Sequence, residues 1–182
     1  PNTALVGLKF DSSQFSGVPR RNYLIKGLIV KVPDNYDPET RAYNGLWMGN
    51  FKLAWTDNPA WVFYDILTNT RYGMGKRLGQ FGVDTFMLYT IAQYCDQLVD
   101  DGFGGREPRF TCNCYITEQR QAYDVIQDLC SIFRAMPIWD GTQYTAIIDR
   151  PSDMVATYTN ANVVEGKFVY TSSAQKARHT AV

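Results

Sequence analysis

The sequence predicts an α+β fold with three main helices packed on short antiparallel strands, and three observations predict it. Apolar residues recur at helical spacing within residues 56–79, 85–99 and 117–136. Between and around them stand short runs rich in β-branched and aliphatic residues, bounded by turn formers. Aromatic residues make up 14% of the chain, and such side chains bury large areas in cores and interfaces, which points to packing and assembly. At 182 residues there is room for one well-cored domain with extended arms. The expected division is a β-rich segment over 1–50, an α+β core over 51–150, and the start of a further β segment over 151–182, so that both ends are β-rich arms.

The stretch 56–79 anchors the rest. Asp57, Asn58 and Pro59 supply a side-chain acceptor for the orphan N–H groups of a helix start and a proline where a missing donor is harmless. Trp61, Val62, Phe63, Tyr64, Ile66 and Leu67 make this helix apolar around most of its circumference, so it is expected to be buried on more than one side. Gly73, Gly75 and Gly79, interleaved with Arg71, Lys76 and Arg77, read as an irregular basic loop.

Ahead of this anchor, 3–10 and 23–32 read as strands able to form a ribbon, and 11–21 as a loop. Residues 33–44, with two prolines, read as an exposed connection without its own core, and 45–55 leads into the helix. Behind it, Asp84 precedes a second helix over 85–99. Its stripe is Met87, Ile91, Tyr94, Cys95 and Leu98, while Thr90, Gln93, Asp96, Gln97 and Asp100 face away. A glycine-rich acidic loop, 100–108, ends it. Residues 109–116 alternate, with Phe110, Cys112, Cys114 and Ile116 on one face, as a half-buried strand does. Thr117 is expected to cap a third helix with Ala122, Val125, Ile126, Leu129, Phe133 and Met136 on its apolar stripe. Residues 137–139 and 143–148 then flank Asp140-Gly141 as a hairpin, completing a strand-helix-hairpin unit. Two more strands are expected at 154–158 and 167–170.

Eighteen basic residues balance eighteen acidic ones, which argues against broad affinity for nucleic acid or anionic membrane. No run of about 18 apolar residues exists, so no membrane span is expected, and no signal peptide opens the chain. Beginning at Pro1 and closing at Val182 amid a strand-like run, it reads as a piece of a longer protein. The cysteines, Cys95, Cys112, Cys114 and Cys130, lack zinc-ligand spacing, and the one histidine is His179. Buried, reduced thiols are the expectation, and no metal or cofactor is expected.

Each candidate chemistry meets a simpler reading. Gly73-Met74-Gly75-Lys76 suggests a phosphate loop, yet the four-residue glycine spacing and the following hydroxyl are missing. A basic loop meeting a partner's carboxylates is the better account. Asp100, Asp101 and Glu107 among glycines lack the calcium-loop pattern. No nucleophile elbow accompanies His179, so catalysis is not expected. Trp47, Trp55, Trp61 and Trp139 would suit a sugar platform only if they face solvent, which is the rival reading as a carbohydrate-binding module that touches a cell envelope.

Residues 57–79 (DNPAWVFYDILTNTRYGMGKRLG), 89–116 (YTIAQYCDQLVDDGFGGREPRFTCNCYI) and 149–153 (DRPSD) closely resemble a segment of the host-specificity tail-tip proteins of lambda-like long-tailed phages and prophages. The resemblance implies a structural, non-enzymatic part of the virion, made in the bacterial cytoplasm and built into the tail tip. Such proteins form the baseplate hub as a homotrimer around a channel, contact other tail proteins, and join the tail tube to the central fibre for host attachment and DNA delivery. This chain corresponds to an internal hub piece, with receptor contacts elsewhere. The expected protein contacts are Arg71, Lys76 and Arg77 against acids such as Asp100 and Asp101.

Overall fold

A computed structural model of the chain describes residues 5–11, 13–14, 17–79, 82–152, 156–169 and 171. The α+β class holds: among the described residues, helices combine with short antiparallel strand pairs, each pair a separate two-stranded sheet. The chain divides into two units, Pro1–Ile148 and Asp149–Val182.

In the first unit β1 (Val30–Pro33) pairs with β4 (Phe51–Ala54), Val30 opposite Ala54 and Pro33 opposite Phe51. The chain between them folds into a small ribbon of β2 (Tyr36–Asp37) and β3 (Ala42–Tyr43). Residues 33–44 are therefore not the coreless connection their polar composition suggests. Tyr36 is fully buried, and its ring lies 4.6 Å from that of half-buried Tyr43.

Helix α1 (Pro59–Thr68) starts as expected, with the Asn58 side chain accepting the Ala60 N–H at 3.0 Å. Ala60, Trp61, Phe63, Tyr64 and Leu67 are all buried, so this helix is surrounded. Its aromatic rings continue into the preceding strand: Phe51 stacks on Tyr64 at 4.9 Å, and Trp47 stacks on Tyr89 at 4.9 Å beside Trp61. Each such pair contributes about 0.5–1.5 kcal/mol beyond its buried area. A single-turn helix, α2 (Gly75–Leu78), follows.

Helix α3 (Thr85–Asp96) is capped by Asp84, whose carboxylate accepts the Met87 N–H at 2.9 Å. It stops three residues short of expectation, because β5 (Leu98–Asp100) leaves to pair with β6 (Arg106–Pro108) across Gly102 and Gly104, both at positive φ. Its buried face is also turned from the expected stripe. Leu88, Ile91, Ala92, Cys95 and Asp96 are buried, whereas Met87 and Leu98 are exposed.

Residues 109–116 form no strand. Their backbone donors go elsewhere: Arg109 N–H to Gln97 O, Phe110 N–H to Cys95 O and Cys112 N–H to Asp57 O, at 2.9, 3.1 and 2.7 Å. With the ladder donors spent on a helix end and a helix cap, alternation survives without a sheet. Helix α4 (Ala122–Ile132) begins at Gln121, not at Thr117, since the intervening Glu118 and Arg120 are exposed and bring no apolar surface to hold a first turn. Ile126, Leu129, Cys130 and Phe133 face the core, and Arg134 ends the helix in the left-handed region. The hairpin of β7 (Ala135–Trp139) and β8 (Tyr144–Ile148) turns at Asp140-Gly141 as expected.

The arms differ most from expectation. Residues 5–10 and 23–29 form no strand and are exposed, Leu24 completely; Thr3 and Ala4 lie outside the described residues. A strand-like composition becomes a strand only beside a partner, and here pairing starts at Val30. In the second unit the described residues hold one 3₁₀ turn, Val164–Gly166, and no strand. Met154, Val155 and Tyr170 of the expected strands lie outside the described residues.

Candidate functional site

The basic loop leaves α1 by folding back on it. Met74 N–H donates to Ile66 O at 2.8 Å and Gly75 N–H to Asn69 O at 3.1 Å. A Cβ at Gly73 would stand 2.1 Å from Ile66 O, and one at Gly75 2.1 Å from Thr68 O. These glycines allow backbone to touch backbone, and the N–H groups that would cradle a phosphate are already used. Tyr72 donates its hydroxyl hydrogen to Asp65, closing the loop, and that contact, after burial, raises the Tyr72 pKa. Arg71, Lys76 and Arg77 are left exposed, and none forms an ion pair among the described residues.

Asp100 and Asp101 sit at the opposite kind of feature, the β5–β6 turn. Asp100 is exposed beside Arg106 at 3.7 Å. One carboxylate oxygen of Asp101 accepts the Phe103 and Gly105 N–H groups at 2.8 and 2.9 Å, so this residue shapes its own turn. The structure thus leaves Arg71 on the loop after α1 but puts Lys76 and Arg77 on α2, so the expected irregular basic loop ends in a helical turn. It does not pair the three cations with Asp100 or Asp101 within the chain.

A charged centre that sequence reasoning missed lies at the other end of α1. Asp96, expected to face solvent, is buried and accepts three hydrogen bonds: from Arg41 Nη1 at 2.9 Å, Tyr43 OH at 2.9 Å and Asn58 Nδ2 at 2.8 Å. Arg41 gives its other terminal nitrogen to Asp57, forming a two-carboxylate clamp. Asn58 also donates to Ala92 O at 2.9 Å, and the Trp61 indole N–H points to the Tyr43 oxygen at 3.4 Å. Asp96 is the last residue of α3, where the helix dipole opposes an acid, so Arg41 is what makes its burial tolerable. Burial works against the Arg41 charge, but Asp96 and Asp57 outweigh it and raise the Arg41 pKa. Burial, then the Asp96 charge, pushes the Tyr43 phenol well above its ordinary value, and Tyr36 likewise. With both carboxylates engaged by one guanidinium, the arrangement is a structural clamp, not an acid-base pair. The available signal was Arg41 itself, a cation in the compact ribbon bearing Tyr36 and Tyr43.

Among the described residues no group of three or more His, Cys, Asp or Glu side chains could hold a metal ion, and His179 lies outside them. Cys95, Cys112 and Cys130 are buried, but Cys114 is exposed, against the expectation of buried thiols. A groove of about 300 Å³ runs beside Cys114, lined by Ile116, Glu118, Val125, Asp128 and Leu129. The tryptophans share no exposed face: Trp47 and Trp61 are buried in the aromatic core, Trp55 is half-buried, and Trp139 is exposed on β7 against Tyr144.

No family model matches the chain. It is similar to proteins of two phages, each called tip attachment protein J. One, from Escherichia phage SECphi27, is 46% identical over 99% of this chain and 15% of its own length. The other, from Escherichia phage SECphi4, is 45% identical over 99% of this chain and 16% of its own length. The chain thus spans about one sixth of the length of these relatives.

Proposed function

We infer that this chain is a segment of a phage tail tip attachment protein, an inference carried by a similarity that runs through almost all of its residues. Its part there is structural: a hub element of the tail tip that joins the tail tube to the central fibre during host attachment and DNA delivery. The whole protein assembles as a trimer around the channel, works with other tail proteins and meets the receptor through regions other than this one. The engagement of both clamp carboxylates by Arg41 and the aromatic core around α1 support a scaffold over an enzyme.

Arg71, Lys76 and Arg77 are the contact we assign to a neighbouring tail protein, with carboxylates such as Asp100 or Asp101 of another copy as counterparts. What supports it is three exposed cations on a loop and a single-turn helix that are held against α1 by backbone hydrogen bonds. Exposed charges of this kind set recognition and association rate more than stability. The test is a phage carrying Lys76→Glu with Arg77→Glu in its tip protein. Tails then fail to complete by electron microscopy and infectious titre falls, whereas normal tails and titre would refute the contact. The isolated chain, lacking the remaining assembly surfaces, is monomeric or weakly associated by light scattering; a tight trimer at micromolar concentration would contradict that.

A further inference from the structure

We propose that Cys112 and Cys114 form a dithiol redox site that closes into an intramolecular disulfide by exchange with a low-molecular-weight disulfide such as oxidised glutathione. The two sulfurs already touch, with the Cys112 thiol directed at Cys114 Sγ at 3.8 Å. A disulfide is about 2.05 Å long, so closure needs an approach of about 1.8 Å. The side that must yield is Cys114: Arg109, Phe110 and Cys112 are held by backbone hydrogen bonds, whereas residues 113–120 belong to no helix or strand and donate no backbone hydrogen bond among the described residues. In a sheet, side chains two residues apart stand about 6.6 Å apart along the strand and the ladder resists their approach. The irregular backbone here removes that resistance.

Exposure sets the order of events. Cys114 is exposed and Cys112 is buried, so Cys114 is the thiol a soluble disulfide meets. Its thiolate attacks one sulfur of oxidised glutathione; a new S–S bond forms at Cys114, the original S–S bond breaks, and the departing glutathione thiolate takes up the proton Cys114 released. Cys112, deprotonated in turn, then attacks Cys114 Sγ; the mixed disulfide breaks and the second glutathione leaves with the Cys112 proton. Two protein thiols are oxidised and one disulfide is reduced to two thiols. Burial, and after it the neighbouring Cys114, pushes the Cys112 thiol up, which makes Cys112 the resolving thiol and not the first attacker. Because the Cys112 N–H is tied to Asp57 O at 2.7 Å, closure draws Cys114 and the groove rim inward. A bridge spanning a single intervening residue is strained, hence readily reduced again.

The probe is the folded chain incubated with oxidised glutathione, quenched with maleimide and cleaved with trypsin, which releases 110–120 with Cys112 and Cys114 as its only cysteines. The expected peptide is two hydrogens lighter, blind to maleimide, and restored by dithiothreitol. Cys112→Ala stops at glutathione attached to Cys114, and Cys114→Ser takes up none. In the untreated protein, Cys114 reacts with maleimide roughly tenfold or more faster than buried Cys95 and Cys130. The proposal is overturned if the peptide stays a dithiol, if glutathione remains on Cys114 in the parent chain, or if the chain unfolded in denaturant closes the bridge as readily as the folded one. Those readouts on the parent chain stand even if Cys112→Ala does not fold.

Discussion

The two ends of α1 treat charge in opposite ways. At the N-terminal end Arg41, Asp57 and Asp96 are brought in from three segments, one guanidinium bridging two carboxylates, with the neutral donors Tyr43 and Asn58 completing the second oxygen of Asp96. At the C-terminal end the backbone does the closing, glycine against carbonyl, and Arg71, Lys76 and Arg77 are left in water. Charge has become architecture at one end and is offered outward at the other. A buried pair costs several kcal/mol when halved, whereas an exposed charge contributes about 0–1 kcal/mol to the fold. The ends should therefore respond differently to the same kind of substitution.

Asp96→Ala is the largest expected effect. It leaves half-buried Arg41 with Asp57 alone and strips Tyr43 and Asn58 of their buried acceptor, lowering unfolding free energy by about 3 kcal/mol, read as a fall in urea midpoint. A loss under about 1 kcal/mol would mean the clamp is decorative and the contrast false. At the other end Gly75→Ala drives a Cβ into Thr68 O and should cost about 1–3 kcal/mol in the same melts, an overpacking penalty. An unchanged midpoint there would show that the loop is loosely held.

Next comes Tyr43→Phe, which removes a donor to a charged acceptor and should cost about 1.5 kcal/mol near neutral pH. Its alkaline behaviour sharpens the comparison further. Tyr36, Tyr43, Cys112 and Cys130 all have pKa values raised in the fold, burial being the leading cause in each. The stability these groups carry is complete below the ordinary thiol and phenol values of about 8.5 and 10, and is lost as pH climbs through the folded values. Melting temperature should hold to about pH 8 and then decline, less steeply in the Phe variant. Equal slopes would detach Tyr43 from the clamp. Smallest of all, Lys76→Glu with Arg77→Glu should move stability by no more than about 0.5 kcal/mol while abolishing tail assembly.

Much of the frame was legible in the residues. Asn58-Pro59 and Asp84 announced two helix starts through capping chemistry that needs no tertiary context. Asp140-Gly141 announced a hairpin in the same way. The misses share a cause. Strand propensity in 5–10, 23–29 and 109–116 states what a backbone tolerates, and only a neighbour decides whether a ladder forms. Periodicity places Asp96 toward solvent because it classes every carboxylate as polar, yet a carboxylate met by an arginine in the interior is a core residue. The exposed cations are visible because they cluster within seven residues, while the clamp joins residues that no local window sees together.

That distance carries a kinetic consequence. The donors that converge on Asp96 lie 55, 53 and 38 residues from it along the chain. None of these bonds rewards the chain until a long loop has closed, and loop closure must precede the gain. The ribbon of β2 and β3, the start of α1 and the end of α3 should therefore lock late and together, as one cooperative event. Until then the chain carries an uncompensated carboxylate at a helix end, so a nascent polypeptide would commit to its fold only after synthesis has passed Asp96.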